Sequence, residues 1–168
     1  MGVSSDIKRK DSIMLGLYRP ALGELWFRQA LLADAQTMAY NRQWGGVIPF
    51  PKERWSDWYA RWIDGDEGKR FYRYLLADEA KRFVGETAYH YDDSRGLFLC
   101  DIIVHAKYRG RGYGAEGLRL LCEAAKANGI AALYDDIAAQ NPSVQLFLSN
   151  GFTIDFQTDD IVMVKRTL

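Results

Sequence analysis

The chain has 168 residues, the usual size of one domain, and 48 % of them are hydrophobic, which is enough for a full core. Its 22 Lys and Arg residues balance 22 Asp and Glu residues, so no global basic field indicates binding to nucleic acid. Neither Cys100 nor Cys122 lies in a CxxC pair or a zinc-type spacing, and no apolar run reaches the roughly 18 residues that a membrane span needs. These features predict one cytoplasmic domain over residues 1–168 with a loosely held polar segment at 1–11, no metal site, and no nucleic-acid or membrane partner.

The first part of the chain mixes strand-like and helix-like patterns. SIMLGLY (12–18) has strand-like residues, and ELWFRQA (24–30) is predicted to form a strand. LLADAQTMAYNRQ (31–43) carries apolar residues on one face and predicts a helix, which WGGVIPFP (44–51) ends. KERWSDWYARWID (52–64) predicts a second helix, because four aromatic residues recur in it at three- and four-residue spacing. We interpret this aromatic stripe as a face that packs on the core, with a direct role in binding substrate as the alternative.

Three strand patterns then suit an antiparallel meander: KRFYRYLLAD (69–78), FVGETAYHY (83–91) and LFLCDIIV (97–104). The third is nearly continuous and apolar, so both of its faces are expected to be buried. The remaining patterns are, in order, a helix (113–128), a strand parallel to an earlier one (132–138), a short helix (142–150) and a closing hairpin (152–166). This order indicates an α/β fold around one mixed sheet.

The motif YRGRGYG (108–114) lies between a predicted buried strand and a predicted helix. The unpaired N–H groups and the dipole of a helix N-terminus attract anions, and glycines let a phosphate approach the backbone. No Lys-Ser or Lys-Thr follows the glycines as in a P-loop, and GRGYGA has the wrong spacing for a dinucleotide fingerprint. A third phosphate-binding pattern, R-x-x-G-x-G, is matched by Arg109, Gly112 and Gly114, and Arg111 adds a second cation. The alternative is a glycine loop with a structural role alone.

Two segments resemble the GNAT superfamily of N-acetyltransferases. IIVHAKYRGRGYGAEGLRLL is similar to its coenzyme A-binding segment, and AAQNPSVQLFLSNGF is similar to the segment in which an Asn opens a short helix that ends in Gly-Phe. Asn141, Gly151 and Phe152 occupy those places, and the element order agrees over about residues 24–168. The resemblance implies a mixed, mostly antiparallel sheet of about seven strands flanked by about four helices. It also implies a splay between the fourth and fifth strands.

The resemblance implies that acetyl-coenzyme A (acetyl-CoA) lies in this splay and acetylates a primary amine of a small molecule or protein, by direct attack in a ternary complex. Backbone groups of the fourth strand would bind the pantetheine arm and polarise the thioester carbonyl, and the glycine loop would hold the pyrophosphate. Asn141 would meet the cosubstrate from the other side, although a helix N-cap before Pro142 also explains it. The cofactor-binding residues implied are Ile102, Ile103, Val104, Arg109, Gly110, Arg111, Gly112, Tyr113, Gly114, Asn141 and Phe147.

Position 147 departs from the family pattern. Many members carry a tyrosine there, whose hydroxyl can protonate the leaving thiolate, whereas Phe147 has no proton to give. Another group or water then serves, or the thiolate leaves unassisted, since a thiol pKa of about 8.5 makes it a tolerable leaving group. The departure keeps an alternative open, in which the chain is a catalytically degenerate acetyl-CoA sensor or an interaction domain.

The acceptor amine must lose a proton before it attacks, because a free alkylamine has a pKa of about 10. Asp101 is the first candidate for the catalytic base, since a carboxylate inside an apolar strand is costly unless it is paired or functional. Polyamine acetyltransferases of the same family carry an acidic residue at this place. Glu86, on the neighbouring strand, is the second candidate catalytic residue.

The acceptor pocket of this fold is built by the first two helices and their connection, here YNRQWGGVIPFPKERW. Its aromatic residues would bind a cationic amine or an apolar side chain of the acceptor. The substrate-binding residues predicted in this way are Tyr40, Trp44, Phe50 and Trp55. The acceptor is a small-molecule or peptide amine whose identity is not readable from the sequence, and a homodimer stays open.

Overall fold

The computed structural model describes residues 15–77 and 81–168, without the side chains of Gln43 and Trp44, so the predicted loose segment 1–11 lies outside the described residues. The strands are β1 (Leu15–Tyr18), β2 (Arg70–Ala77), β3 (Arg82–Asp92), β4 (Leu97–Val104), β5 (Ala132–Ala138), β6 (Thr153–Gln157) and β7 (Ile161–Thr167). The α-helices are α1 (Trp26–Ala33), α2 (Trp55–Trp62), α3 (Tyr113–Ala127) and α4 (Ser143–Leu148). Short 3₁₀ helices span Leu22–Leu25, Thr37–Trp44, Lys52–Arg54 and Ala106–Tyr108.

The described strands form one mixed sheet in the order β1-β2-β3-β4-β5-β7-β6. Every neighbouring pair is antiparallel except β4 and β5, which run parallel and share a single paired position, Leu99 with Tyr134. Beyond that position the two strands separate, whereas β3 and β4 stay paired from Asp92–Leu97 to Gly85–Val104. The mixed sheet, the parallel fifth strand and the splay all confirm the predicted fold.

Helices cover both faces of the sheet, and alternate residues of β4 contribute to different cores. Cys100 packs with residues of α3 and α4, whereas Ile103 packs with residues of α1 and α2. On the first of these faces, a Cβ at Gly117 of α3 would come within 2.8 Å of the Cδ1 atom of Ile102. This glycine therefore lets α3 lie directly against the strand that borders the splay.

The predicted strand at 24–30 is wrong, because most of that segment belongs to α1. Phe27 and Leu31, four residues apart on one face of α1, are buried together against the sheet, while Trp26 is exposed. The first strand is instead Leu15–Tyr18, inside the segment 12–18 whose residues are strand-like.

The predicted helix at 31–43 is also wrong in its bounds. The α-helix ends at Ala33, because Asp34 adopts an extended backbone with φ −80° and ψ 113°. The Asp34 carboxylate accepts hydrogen bonds from the backbone N–H and the hydroxyl of Thr37, and a separate 3₁₀ helix begins there.

The expectation that β4 is buried on both faces is wrong as well. Within this strand only Cys100 and Ile103 are buried, and Asp101 is exposed, because the strand forms one wall of an open cleft. Among the helices of the described residues, none is long and apolar enough to cross a membrane.

Candidate active site

A cleft of about 340 Å³ extends from the diverging end of β4 to the N-terminus of α3. It is lined by most of the residues predicted to bind the cosubstrate: Ile102, Ile103, Val104, Arg109, Gly110, Gly112, Tyr113, Gly114 and Asn141. Arg111 lies outside this lining, with its guanidinium 5.8 Å from the ring centre of Tyr108, and Phe147 lines a neighbouring cavity. We call the first space the cosubstrate cleft.

The N-terminus of α3 meets this cleft without a side-chain cap. Its N-cap residue, Gly112, has a left-handed backbone with φ 86°, which favours glycine. Among the residues that the structure describes, no side chain accepts hydrogen bonds from the first N–H groups of the helix, so these groups remain available to an anion. The geometry fits the pyrophosphate of acetyl-CoA.

Arg109 links the glycine loop to the segment after α1. Its Nε donates to the carbonyl of Val104 at 3.2 Å, and its Nη2 donates to the carbonyl of Thr37 at 2.8 Å. Thr37 is fully buried, and its hydroxyl oxygen accepts a hydrogen bond from the backbone N–H of Ala106 at 3.0 Å. Arg109 thus has structural contacts in addition to the phosphate contact that the motif predicts.

A second cavity of about 280 Å³, which we call the acceptor cavity, adjoins the cosubstrate cleft. Its polar and aromatic lining includes Arg28, Tyr40, Trp58, Trp62, Tyr72, Glu86, Asp101, Asp135 and Asp136. The two spaces share five lining residues, which we call the junction: Tyr40, Ile102, Ile103, Asn141 and Ser143. A donor in the cleft and an acceptor in the cavity would therefore meet at these residues.

The aromatic residues predicted to bind substrate divide between cavity and core. Tyr40 lines both spaces, while Phe50 and Trp55 are buried in the core, where the indole N–H of Trp55 donates to the carbonyl of Phe50 at 3.1 Å. The side chain of Trp44 lies outside the described residues. Trp58 and Trp62, which we interpreted as core residues of α2, also form part of the cavity wall.

Glu86 is held in a buried network. Nη1 of Arg28 lies 2.6 Å from Oε1 and 2.7 Å from Oε2 of Glu86, and the Tyr72 hydroxyl donates to Oε2. The guanidinium also lies 4.5 Å from the ring centre of Trp58 and 5.3 Å from that of Tyr72. The charge of Glu86 is therefore compensated, and its oxygens are occupied.

Asp101 differs from Glu86 in its surroundings. It is opposite Ala88 on β3, lines the acceptor cavity, and has no ion-pair partner among the described residues. The residue as a whole is exposed to the open cavity, whereas its carboxylate lies deep enough among protein atoms to lose hydration. Burial, and then the charge of Glu86, raises the pKa of Asp101 to about 7, against the opposing effect of Arg28.

Asp135 and Arg28 were not predicted from the sequence. Burial, followed by the charges of Asp101 and Asp136, raises the pKa of Asp135 well above its usual value. Asp136 pairs with Arg95 at 3.0 Å, whereas Asp135 has no such partner in the described part of the chain. The same reasoning that selected Asp101 would have selected Asp135, because ALYDDIA also places carboxylates in an apolar strand.

The comparisons with known proteins agree with this geometry. The family model described as the acetyltransferase (GNAT) family matches residues 32–152. The chain belongs to the GNAT family. Membership supports acetyltransferase activity that uses acetyl-CoA. No curated protein sequence matches the chain.

Several solved structures resemble this GNAT chain. A spermidine N-acetyltransferase from Vibrio cholerae, in complex with CoA and spermine, has a TM-score of 0.73 and 17% identity, over 92% of this chain and 95% of that chain. A putative acetyltransferase from Salmonella typhimurium, with its cofactor acetyl-CoA, has a TM-score of 0.70 and 18% identity, over 92% of this chain and 94% of that chain. A GNAT-family acetyltransferase from Bacillus anthracis has a TM-score of 0.71 and 14% identity, over 92% of this chain and 95% of that chain. At these identities the likeness shows the shared fold.

Proposed function

We propose that the protein transfers the acetyl group of acetyl-CoA to a primary amine of a small molecule or peptide, by direct attack in a ternary complex. The observation that carries this proposal is the junction, where the cosubstrate cleft and the acceptor cavity meet on β4. Asp101 lies on the acceptor side of the same strand, next to Ile102. Donor, acceptor and base can therefore be present together, as direct attack requires.

In the proposed complex, the pantetheine arm follows β4. The edge of β4 that faces β5 has no strand partner beyond Leu99 in the described part of the chain, so its backbone groups are available to bind the arm from Ile102 to Val104. One N–H group there would polarise the thioester carbonyl. The pyrophosphate would bind the glycine loop and the uncapped N-terminus of α3.

The proposed base is Asp101 rather than Glu86. A pKa of about 7 lets Asp101 accept a proton near neutral pH, whereas both oxygens of Glu86 are bound to Arg28. We assign Glu86 an electrostatic role, since its charge helps to raise the pKa of Asp101. Neither cysteine competes as a nucleophile, because Cys100 and Cys122 are buried and burial raises both thiol pKa values.

The acceptor cavity indicates a small cationic amine. Its carboxylates favour an ammonium group, and the rings of Tyr40, Trp58 and Trp62 suit either a cation or an apolar substituent. One of the similar structures holds spermine, and the cavity is rich in aromatic rings, so polyamines and arylalkylamines are the first acceptors to test. Because acetyl-CoA is an intracellular metabolite, we place the reaction in the cytoplasm.

The test is a panel of amines incubated with the protein and acetyl-CoA: spermidine, 1,3-diaminopropane, phenethylamine, tyramine and a lysine-containing peptide. Release of the CoA thiol is followed with a thiol reagent, and the acetylated amine is identified by mass spectrometry. Amine-dependent release, with one acetylated amine for each thiol, supports the proposal. Tight binding of acetyl-CoA in calorimetry, without amine-dependent release from any member of the panel, contradicts it.

A further inference from the structure

The position on α4 at which many family members carry a tyrosine offers no proton to the leaving sulfur in this chain. Phe147 has no hydroxyl, is 1 % exposed, and packs against Phe152 with the ring centres 4.9 Å apart. A protein group that protonates the sulfur would have to reach the place where the thioester would lie, which is the junction of the two spaces. Of the five junction residues, only Tyr40 has a phenolic proton.

We propose that Tyr40 hydrogen-bonds the sulfur of the thioester and donates its proton to that sulfur as the C–S bond breaks. This inference rests on the N-acetyltransferase reaction proposed above and assigns one more residue to it. Tyr40 lines both the cosubstrate cleft and the acceptor cavity, as a group that acts on both substrates must.

The backbone that carries Tyr40 is fixed close to this place. Tyr40 lies three residues after Thr37, one turn along the same 3₁₀ helix. Thr37 is fully buried and is bound to the glycine loop twice, through Ala106 at 3.0 Å and through Arg109 at 2.8 Å. The loop proposed to bind the pyrophosphate therefore also positions the segment that carries Tyr40.

Other candidate donors fit less well. Ser143 also lies at the junction, but an aliphatic hydroxyl is a weaker acid than a phenol. Asn141 has no acidic proton, and its Oδ1 accepts a hydrogen bond from the backbone N–H of Ser143 at 2.9 Å. Asp135 lines the acceptor cavity but not the cosubstrate cleft, where the sulfur would lie.

The electrostatics couple Tyr40 to the base. Burial, and then the charge of Asp101, raises the pKa of Tyr40; Glu86 and Asp135 act in the same direction, and Arg109 opposes them. Tyr40 is therefore protonated before the reaction starts. When Asp101 accepts a proton from the amine, its negative charge disappears and Tyr40 becomes a stronger acid. Proton donation to the sulfur is thereby timed to follow deprotonation of the nitrogen.

The proton and electron balance closes without a further reactant. Asp101 first takes one proton from the bound ammonium and releases it to bulk water, and the neutral nitrogen attacks the carbonyl carbon. The C–N bond forms, the C–S bond breaks, and the sulfur keeps the electron pair of that bond. Asp101 takes the second proton from the nitrogen, Tyr40 gives its proton to the sulfur, and Asp101 returns a proton to Tyr40. The products are the amide and the CoA thiol.

The direct test is Tyr40→Phe, which removes one oxygen and keeps the ring. With the best amine of the panel, we expect the single-turnover rate to fall about 10- to 100-fold, at the lower end of general acid–base effects because thiolate leaves readily. The affinity for acetyl-CoA, measured by calorimetry, should stay within about twofold. The matched control is Tyr59→Phe, which removes a hydroxyl that donates to the carbonyl of Pro20 at 2.8 Å and should leave the rate unchanged.

Two further variants separate proton donation from a wall-forming role. The first is the double variant Tyr40→Phe with Asp101→Asn. If the two residues act in one relay, its fold-loss in single-turnover rate should be smaller than the product of the fold-losses in the two single variants. In the Tyr40→Phe background, Phe147→Tyr supplies a phenol at the position where many family members carry one, and because the added hydroxyl extends beyond the Phe147 ring, it should recover part of the rate. A wall-forming role instead predicts a changed KM with an unchanged single-turnover rate.

A single-turnover rate of Tyr40→Phe within about twofold of the wild type, at equal acetyl-CoA affinity, overturns the assignment. If Tyr40→Phe does not fold, a difluorotyrosine at position 40 keeps the shape and makes the phenol more acidic. The rate should then rise, and an unchanged rate overturns the assignment equally. Wild-type protein that binds acetyl-CoA but acetylates no amine of the panel contradicts the proposed function itself, and the two failures are therefore distinguishable.

Discussion

Arg28 binds the carboxylate of Glu86 at one side of the acceptor cavity, with its Nη1 atom 2.6 Å from Oε1 and 2.7 Å from Oε2. Glu86 is only 2 % exposed. Removing one partner of a buried ion pair leaves the other charge uncompensated. The pair therefore stabilises the fold around the cavity and keeps Glu86 from acting as a free base.

Glu86→Gln should accordingly behave as a stability variant. We expect the free energy of unfolding to fall by about 3 kcal/mol, since a charged Arg28 would stay buried without its counterion. The measurement is urea denaturation followed by circular dichroism. The matched control is Glu67→Gln, whose carboxylate pairs with Arg73 at 2.7 Å but is 38% exposed, and which should lose at most about 1 kcal/mol. Equal losses in the two variants contradict the buried pair.

The position of the glycine loop between β4 and α3 could be predicted from the sequence because its signals are local. An apolar strand, a glycine-rich turn and a helix follow one another, and the left-handed backbone at Gly112 is a conformation that favours glycine. Asp101 could also be selected as a candidate from the sequence, because it is one carboxylate in an apolar strand. What such patterns do not give is the path of the chain around them.

The acceptor side depends on contacts between residues that are distant in sequence. Arg28 and Glu86 are 58 positions apart, and Arg28 lies in a segment whose short apolar pattern predicted a strand. The contact of Arg109 with the carbonyl of Thr37 spans 72 positions, and no side-chain pattern identifies a backbone acceptor. Periodicity therefore could not place Tyr40 at the junction, although its residue type suggested the pocket.

Gly112→Asp tests the proposed pyrophosphate site. The new side chain would place a negative charge at the uncapped N-terminus of α3 and compete with the phosphates for its N–H groups. We expect the affinity for acetyl-CoA in calorimetry to fall about 100-fold or more, which corresponds to about 2.7 kcal/mol.

The control for this variant is Gly129→Asp, at the other end of α3. Gly129 also has a left-handed backbone, with φ 81°, and has open space at its Cβ position, so the backbone strain is comparable. This variant should bind acetyl-CoA like the wild type. Unchanged affinity in a folded Gly112→Asp variant would mean that the pyrophosphate lies elsewhere.

Phe147→Tyr adds the hydroxyl that many family members carry. Since Phe147 has no proton to give and the proposed reaction does not use a donor at this position, we expect turnover to be preserved or to rise modestly, with normal affinity for acetyl-CoA. Single-turnover measurements at saturating acetyl-CoA check this outcome. A large fall in rate with normal cosubstrate binding would show instead that Phe147 shapes the site too tightly for one extra oxygen.

The raised pKa of Asp101 has a consequence for stability. The carboxyl of Asp101 has a pKa of about 3.9 in the unfolded chain and about 7 in the folded protein. At pH values between these two, the folded protein binds more protons at this site than the unfolded chain does. Stability from this group is therefore present at low pH and is lost as the pH rises through about 7.

Asp101→Asn removes this titration. We expect the Tm of the variant, relative to the wild type, to rise between about pH 5 and pH 8, as measured by differential scanning fluorimetry. Asp155→Asn, on the exposed strand β6, is the matched control and should show no such change with pH. A constant difference in Tm between Asp101→Asn and the wild type across this range contradicts the raised pKa.

The rate of amine acetylation in Asp101→Asn compared with the wild type, measured from pH 6 to about pH 10, tests the proposed mechanism most directly. If Asp101 is the base, kcat/KM for the amine at pH 7 falls about 100-fold or more while the affinity for acetyl-CoA is kept. The loss should shrink as the pH approaches the amine's own pKa of about 10, because neutral amine then forms without help. Asp155→Asn should match the wild type throughout. An Asp101→Asn variant as active as the wild type at pH 7 would contradict the assignment of the base.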